Sequence, residues 1–177
     1  MIGNQNTVYQ GSGNGVNGSQ NFLWGNQNGI AGNGNAVVGN GNGMAGFNNG
    51  LVGNGNILFG NQNGIQGNLN QILGNQNGVL GHQNALQGSG NGINGSGNGV
   101  IGDYNQMFGN NNVVAGLSNF LNGNNNQVSG MNNLVSGSSN TVISNLRTWT
   151  AEPNKIQIKN NHFSSFMNIL TFLCIFY

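Results

Sequence analysis

The chain has 177 residues, enough for one domain with a sizeable core, yet Asp, Glu, Lys and Arg together make only 3% of it and 34 residues are Gly, where a typical soluble domain carries about 25% charged residues. The net charge is +1 and there is no basic stripe, so nucleic acid and anionic membranes are excluded as electrostatic partners, since both are held largely by Lys and Arg. Sequence of this kind is either disordered and low in complexity or a repeat whose composition follows from its period, and the period decides between them.

Residues 1–10, MIGNQNTVYQ, read as an atypical repeat or cap. They show neither a basic n-region nor an apolar h-region, so the expected location is cytoplasmic unless a leader precedes Met1, in which case it is extracellular. GNQNTVYQ at 3 to 10 fits the pattern that follows, after a one-residue insertion.

Residues 11–143 form one uninterrupted repeat. With the heptad written G-x-x-N-x-Φ-x from Gly11, the first position is Gly in all 19 units, from Gly11 to Gly137. The fourth is Asn in every unit: Asn14, Asn21, Asn28, Asn35, Asn42, Asn49, Asn56, Asn63, Asn70, Asn77, Asn84, Asn91, Asn98, Asn105, Asn112, Asn119, Asn126, Asn133 and Asn140. The sixth, from Val16 to Val142, is always Val, Leu, Ile or Met. A coiled coil also repeats every seven residues, but it needs two apolar positions per heptad, and Gly costs a helix interior about 1 kcal/mol relative to Ala. In an extended segment, by contrast, positions four and six point to one side and positions five and seven to the other. Gly at position one then supplies the corner, because it reaches positive φ freely.

Seven residues extend to about 25 Å at most, too short to encircle a core whose walls sit about 10 Å apart. Two heptads suffice. The fold class is therefore all-β, a single-stranded β-solenoid of 14 residues per coil with two flat walls; a triangular coil of three heptads is the alternative. Stacked coils set Asn over Asn in amide ladders and aliphatic over aliphatic in a column.

Position seven is apolar in 12 of 19 units. On one wall its column includes Ala31, Ala45, Phe59, Leu73, Ile101, Ala115 and Ser129, with Val113 and Thr141 beside it at position five; these nine residues are the candidate surface wall. The column on the other wall runs from Trp24 through Val38, Val52, Leu80 and Phe108. Both stripes are too apolar for idle solvent faces; they are either a docking surface, for a partner or for a second copy, or side chains tucked into coil corners. A surface almost without charge also does little to oppose self-association.

From residue 144 to 177 the composition changes. Pro153 ends any strand, NKIQIKN at 154 to 160 alternates like an edge or capping strand, and FMNILTFLCIFY closes the chain. The segment Phe166–Tyr177 is too short to span a bilayer, which needs about 20 residues; it reads as a cap on the solenoid end, with a truncated membrane segment, the one place for membrane contact, or non-native sequence from an incorrect gene end as the alternatives. Cys174 is the single cysteine, so neither a disulfide framework nor metal-ligand spacing exists.

GxGxxG occurs four times, as at Gly13 to Gly18, but an obligatory Gly every seventh residue generates it by arithmetic, and the helix and acidic residue of a dinucleotide site are missing. His82 and Asp103 stand alone and read as solvated surface residues, leaving no acid–base pair, triad or metal cluster. Asn17-Gly18-Ser19 and Asn94-Gly95-Ser96 are glycosylation sequons by spelling alone, which carries little weight without a signal peptide. The chain is accordingly expected to be non-enzymatic, without cofactor or small-molecule substrate.

The unit G-x-x-N-x-V-x is a rotation of the XXNXVXG repeat, and across residues 3 to 143, in stretches such as GNQNGVLG, GNNNVVAG and GSSNTVIS, the chain resembles the grass-type ice-recrystallisation-inhibition proteins. The resemblance implies a left-handed parallel β-roll of two heptads per coil that binds ice through a flat wall. In that family the wall is rich in Thr, Ser and Val, whereas here Thr stands at position five once, as Thr141. The heptads are similar, less closely, to the head repeats of trimeric autotransporter adhesins, which implies instead a self-associating structural or adhesive module, a homo-oligomer formed through Phe59, Leu73 and Ile101.

Overall fold

The computed structural model describes residues 1–150 and 156–159, with side chains through Asn145. All regular structure in it is parallel β, from Thr7–Gln10 to Ile156–Lys159, and no helix occurs among the described residues. Most strands are three residues long and centred on heptad position six: Gly15–Asn17, Phe22–Trp24, Gly29–Ala31 and so on. Each pairs not with its neighbour in sequence but with the strand 14 residues on, Gly15↔Gly29 and Phe22↔Ala36, for example. Two heptads therefore close one coil, and the three-heptad alternative is ruled out. Alternate strands build two walls, and about ten rungs at about 4.8 Å give a rod of roughly 45–50 Å.

The core follows from the alternation within each strand. All 19 aliphatics at position six, Val16 to Val142, are at most 5% exposed, and Asn21 through Asn140 are buried beside them. Asn14 differs: near the N-terminal end of the stack it is only half-buried. Val8 of the leading unit packs on the same column, and the one-residue insertion legible in the sequence is absorbed as a bulge at Tyr9, where the register passes from Val8↔Leu23 to Gln10↔Trp24.

Gly at position one answers to two constraints. In Gly74, φ is +142°, and an added Cβ would meet the carbonyl oxygen of Gly88, one coil on, at 1.8 Å. Backbone passes over backbone at this corner with no room for a side chain, a constraint beyond the positive φ read from sequence. Position three is also left-handed in every unit, with φ near +55° to +60° at non-glycine residues such as Gln27, Leu69 and Tyr104.

Pairing continues past the last full heptad. Ser144 takes the glycine place and is buried, Asn133 pairs with Arg147 and Ser136 with Thr150, and Ile156–Lys159 adds a further strand beside Thr141–Ser144. Cys174 and the apolar segment Phe166–Tyr177 lie outside the described residues.

Candidate functional site

Two amide ladders hold the walls in place. In the inner one, each Asn Oδ1 from Asn14 to Asn126 accepts two hydrogen bonds from the Asn of the next coil: Asn77 Oδ1 receives Asn91 N–H at 3.0 Å and Asn91 Nδ2 at 3.2 Å. Each Nδ2 also donates across the coil to a corner carbonyl, as Asn77 Nδ2 does to Gly88 O at 2.8 Å. The side-chain oxygen thus replaces a backbone acceptor at the turn where the strands separate, so a buried N–H that would otherwise be orphaned is satisfied on every rung. At the end of the ladder Asn140 Oδ1 has no partner among the described residues.

The second ladder, at position two, went unrecognised in the sequence. On the corner preceding the first wall, Asn26 N–H donates to Asn40 Oδ1 at 2.9 Å, Asn40 to Asn54 at 2.9 Å and Asn54 to Asn68 at 2.8 Å, so this ladder points the opposite way from the inner one. His82 belongs to it: its Nδ1 accepts from Asn68 N–H at 3.1 Å, and its own N–H donates to Ser96 Oγ at 3.1 Å. On the other corner Asp103 Oδ1 accepts from Ser89 N–H at 2.7 Å. Neither residue is the isolated surface group its lone position suggested. The signal was present, since 16 of the 19 position-two residues are Asn, Ser, His or Asp, but a polar column outside the core has no periodic partner to reveal it. Phe47, Leu117 and Met131 occupy the remaining places, all on the corner that carries Asp103.

Between these ladders the walls face outward. The first wall brings together all nine candidate residues. Its position-seven column runs by direct pairing through Ala31↔Ala45, Ala45↔Phe59, Phe59↔Leu73, Ile101↔Ala115 and Ala115↔Ser129, with Val113 and Thr141 each paired to Gln127 at position five. Position seven does not tuck into the coil corners: Phe59 and Leu73 are each 52% exposed and Ile101 63%. The wall is low at its N-terminal end, where Gly29–Ala31 and Gly43–Ala45 stand, whereas Val113 and Ile143 project from the other end, 52% and 46% exposed. In the middle Phe59 and Leu73 rise, and a hollow of about 500 Å³ opens over Ala85.

The second wall has a different relief. Tyr9 and Trp24 lie at its N-terminal end with ring centroids 5.1 Å apart, and Phe108 and Phe120 further along at 5.6 Å. Between them position five is Gly at Gly50, Gly64, Gly78 and Gly92, leaving an apolar trough of about 840 Å³ flanked by Val38, Val52 and Leu80. Among the described residues no three His, Cys, Asp or Glu side chains come together as a metal site, and no helix is long and apolar enough to cross a membrane. What the arrangement offers chemically is two rigid, uncharged, periodic surfaces.

A family model described as grass antifreeze beta roll matches residues 54–145, more than half of the chain. No curated protein matches it, and the adhesin likeness gains no support.

Proposed function

This chain belongs to the grass antifreeze β-roll family, an ice-binding β-solenoid fold, and we propose that it binds ice and inhibits recrystallisation through the first wall, without catalysis. The observation that carries this reading is the unbroken 14-residue pairing beneath that wall, which presents outward groups at one-rung spacing along the whole rod. Ice offers a repeating array of water sites, each contact with it is weak, and affinity has to come from many contacts made at once. A surface already ordered by folding loses little further entropy on binding. Small apolar groups and hydroxyls at Ala31, Ala45, Val113, Ala115, Ser129 and Thr141 leave the approach of ordered water unobstructed, and the absence of charge avoids a tightly held hydration shell. The second wall carries the rings of Phe22, Trp24, Phe108 and Phe120 at positions five and seven, where the first carries Phe59 alone, and suits the task less.

Ala115→Arg and Ala31→Arg each place a charged, bulky group on the first wall, while Val52→Arg does the same on the second. The two first-wall variants are expected to need at least about tenfold more protein to halt ice-crystal coarsening, equivalent to about 1.4 kcal/mol of lost adhesion, with Val52→Arg unchanged. Equal loss in all three, or none, would refute the assignment of the wall.

A further inference from the structure

We propose that Asn94 is an N-glycosylation site, and that the first sugar attached there packs on Leu80 and Phe108 over the trough of the second wall. The tripeptide Asn-Gly-Ser occurs twice, at Asn17–Ser19 and Asn94–Ser96, and is an acceptor sequence for N-linked sugar. Both asparagines stand at heptad position seven and both are exposed, Asn17 on the first wall and Asn94 on the second. The ladder amides, such as those of Asn91 and Asn98, are buried and spent on neighbouring coils; the Asn94 amide points to solvent.

What separates the two sites is the neighbourhood. Asn94 pairs with Leu80 on one side and Phe108 on the other, so an exposed ring lies one rung away, about 4.8 Å along the rod. Beside it Gly78 and Gly92 leave the floor of the trough open. Asn17 pairs with Ile2 and Ala31 and has no ring beside it. A pyranose carries an apolar C–H face that suits the negative face of an aromatic ring, with its hydroxyls turned to water. The trough has no formal charge, which matches a neutral sugar, and a sugar seated there covers apolar surface that the fold leaves bare.

The transfer itself requires an oligosaccharide carried on a lipid pyrophosphate and the oligosaccharyltransferase that delivers it. Asn94 Nδ2 forms the new bond to the anomeric carbon, the bond from that carbon to the pyrophosphate oxygen breaks, the lipid pyrophosphate leaves, and the Nδ2 proton passes to a base of the transferase. Transfer precedes closure of the coils, because in the folded chain the tripeptide backbone is held in the stack, Gly95 N–H donating to Leu80 O while Asn94 O and Ser96 O accept from Gly109 and Asn111 N–H, each at 2.9 Å.

The two sequons control each other, since the tripeptide and its heptad placement are identical. The full chain, secreted from yeast behind a foreign leader, is peptide-mapped, then trimmed enzymatically to a single N-acetylglucosamine per site and melted beside Asn94→Gln, Asn17→Gln and Phe108→Ala. Expected are a sugar on Asn94, a Tm a few degrees above that of Asn94→Gln, loss of this gain in Phe108→Ala, and no gain from a sugar on Asn17. Bacterially made chain, which carries no sugar, gives the unmodified Tm of each variant. A bare Asn94 after secretion, or a Tm indifferent to its sugar or to Phe108, overturns the proposal. Its failure leaves the first wall untouched, so ice inhibition is read independently.

Discussion

Asn77 shows how much one side chain carries here. Its Oδ1 accepts from the backbone and side-chain nitrogens of Asn91, while its own N–H and Nδ2 donate to Asn63 Oδ1 and its Nδ2 to Gly88 O. Replacing it by Leu strands donors and acceptors on both adjacent coils, each costing about 1–3 kcal/mol when buried. Asn77→Leu is therefore expected to lose on the order of 3–6 kcal/mol in denaturant unfolding, and an unchanged midpoint would dismiss the ladder as a source of stability. Glycine gives a sharper contrast. Gly74→Ala drives a Cβ into the Gly88 carbonyl at a φ of +142°, whereas Gly78, one position-five residue on the trough floor, has nothing within 4 Å of an added Cβ. Gly74→Ala should unfold the chain or lower its Tm steeply, and Gly78→Ala should leave Tm level or slightly raised, since Ala restricts the unfolded chain more than Gly does. At position three Leu69 has a φ of +58° and is 57% exposed. A left-handed conformation costs a non-glycine residue about 1–2 kcal/mol, so Leu69→Gly is expected to raise Tm by a few degrees.

At the scale of the element, the unit of structure is the heptad but the unit of surface is the pair of heptads. Each seven-residue piece delivers the same Gly, Asn and aliphatic to the core, so any heptad can follow any other without disturbing the ladders. Its outward residues land on the first or second wall according to whether its place in the count is odd or even. Deleting residues 81–94 removes one whole coil and keeps every later residue on its own wall. Deleting residues 81–87 removes one heptad and exchanges the walls beyond the cut, so that Asn94, Phe108 and Asn122 continue the column begun by Ala31 and Ala45. Both deletions should preserve the β signature in circular dichroism, with a modest fall in Tm, because each coil contacts only its neighbours. Recrystallisation inhibition should survive the longer deletion and fall sharply in the shorter one. Equal activity in the two would mean that ice does not depend on one continuous wall.

For the whole molecule, what could be read in advance and what could not divides along the same line. Strand character, the buried column from Val16 to Val142 and the inner Asn ladder were legible because each depends only on what recurs at one heptad position, and recurrence is visible in a single chain. The outer ladder was not, because its members vary among Asn, Ser, His and Asp and are united only by the hydrogen bonds that stacking gives them. The exposure of Phe59, Leu73 and Ile101 was left open as well, since whether position seven meets solvent or a coil corner depends on how sharply the chain turns at positions one to three. The amino-acid sequence by itself thus determined a rod of stacked parallel strands with a half-polar core, for every coil is locally the same problem solved again. Only the tertiary structure decided for the 14-residue coil over its triangular alternative, turned position seven to solvent instead of into the coil corners, and joined the position-two residues into a second ladder. Those facts concern residues far apart in the chain, brought side by side when one coil settles on the next.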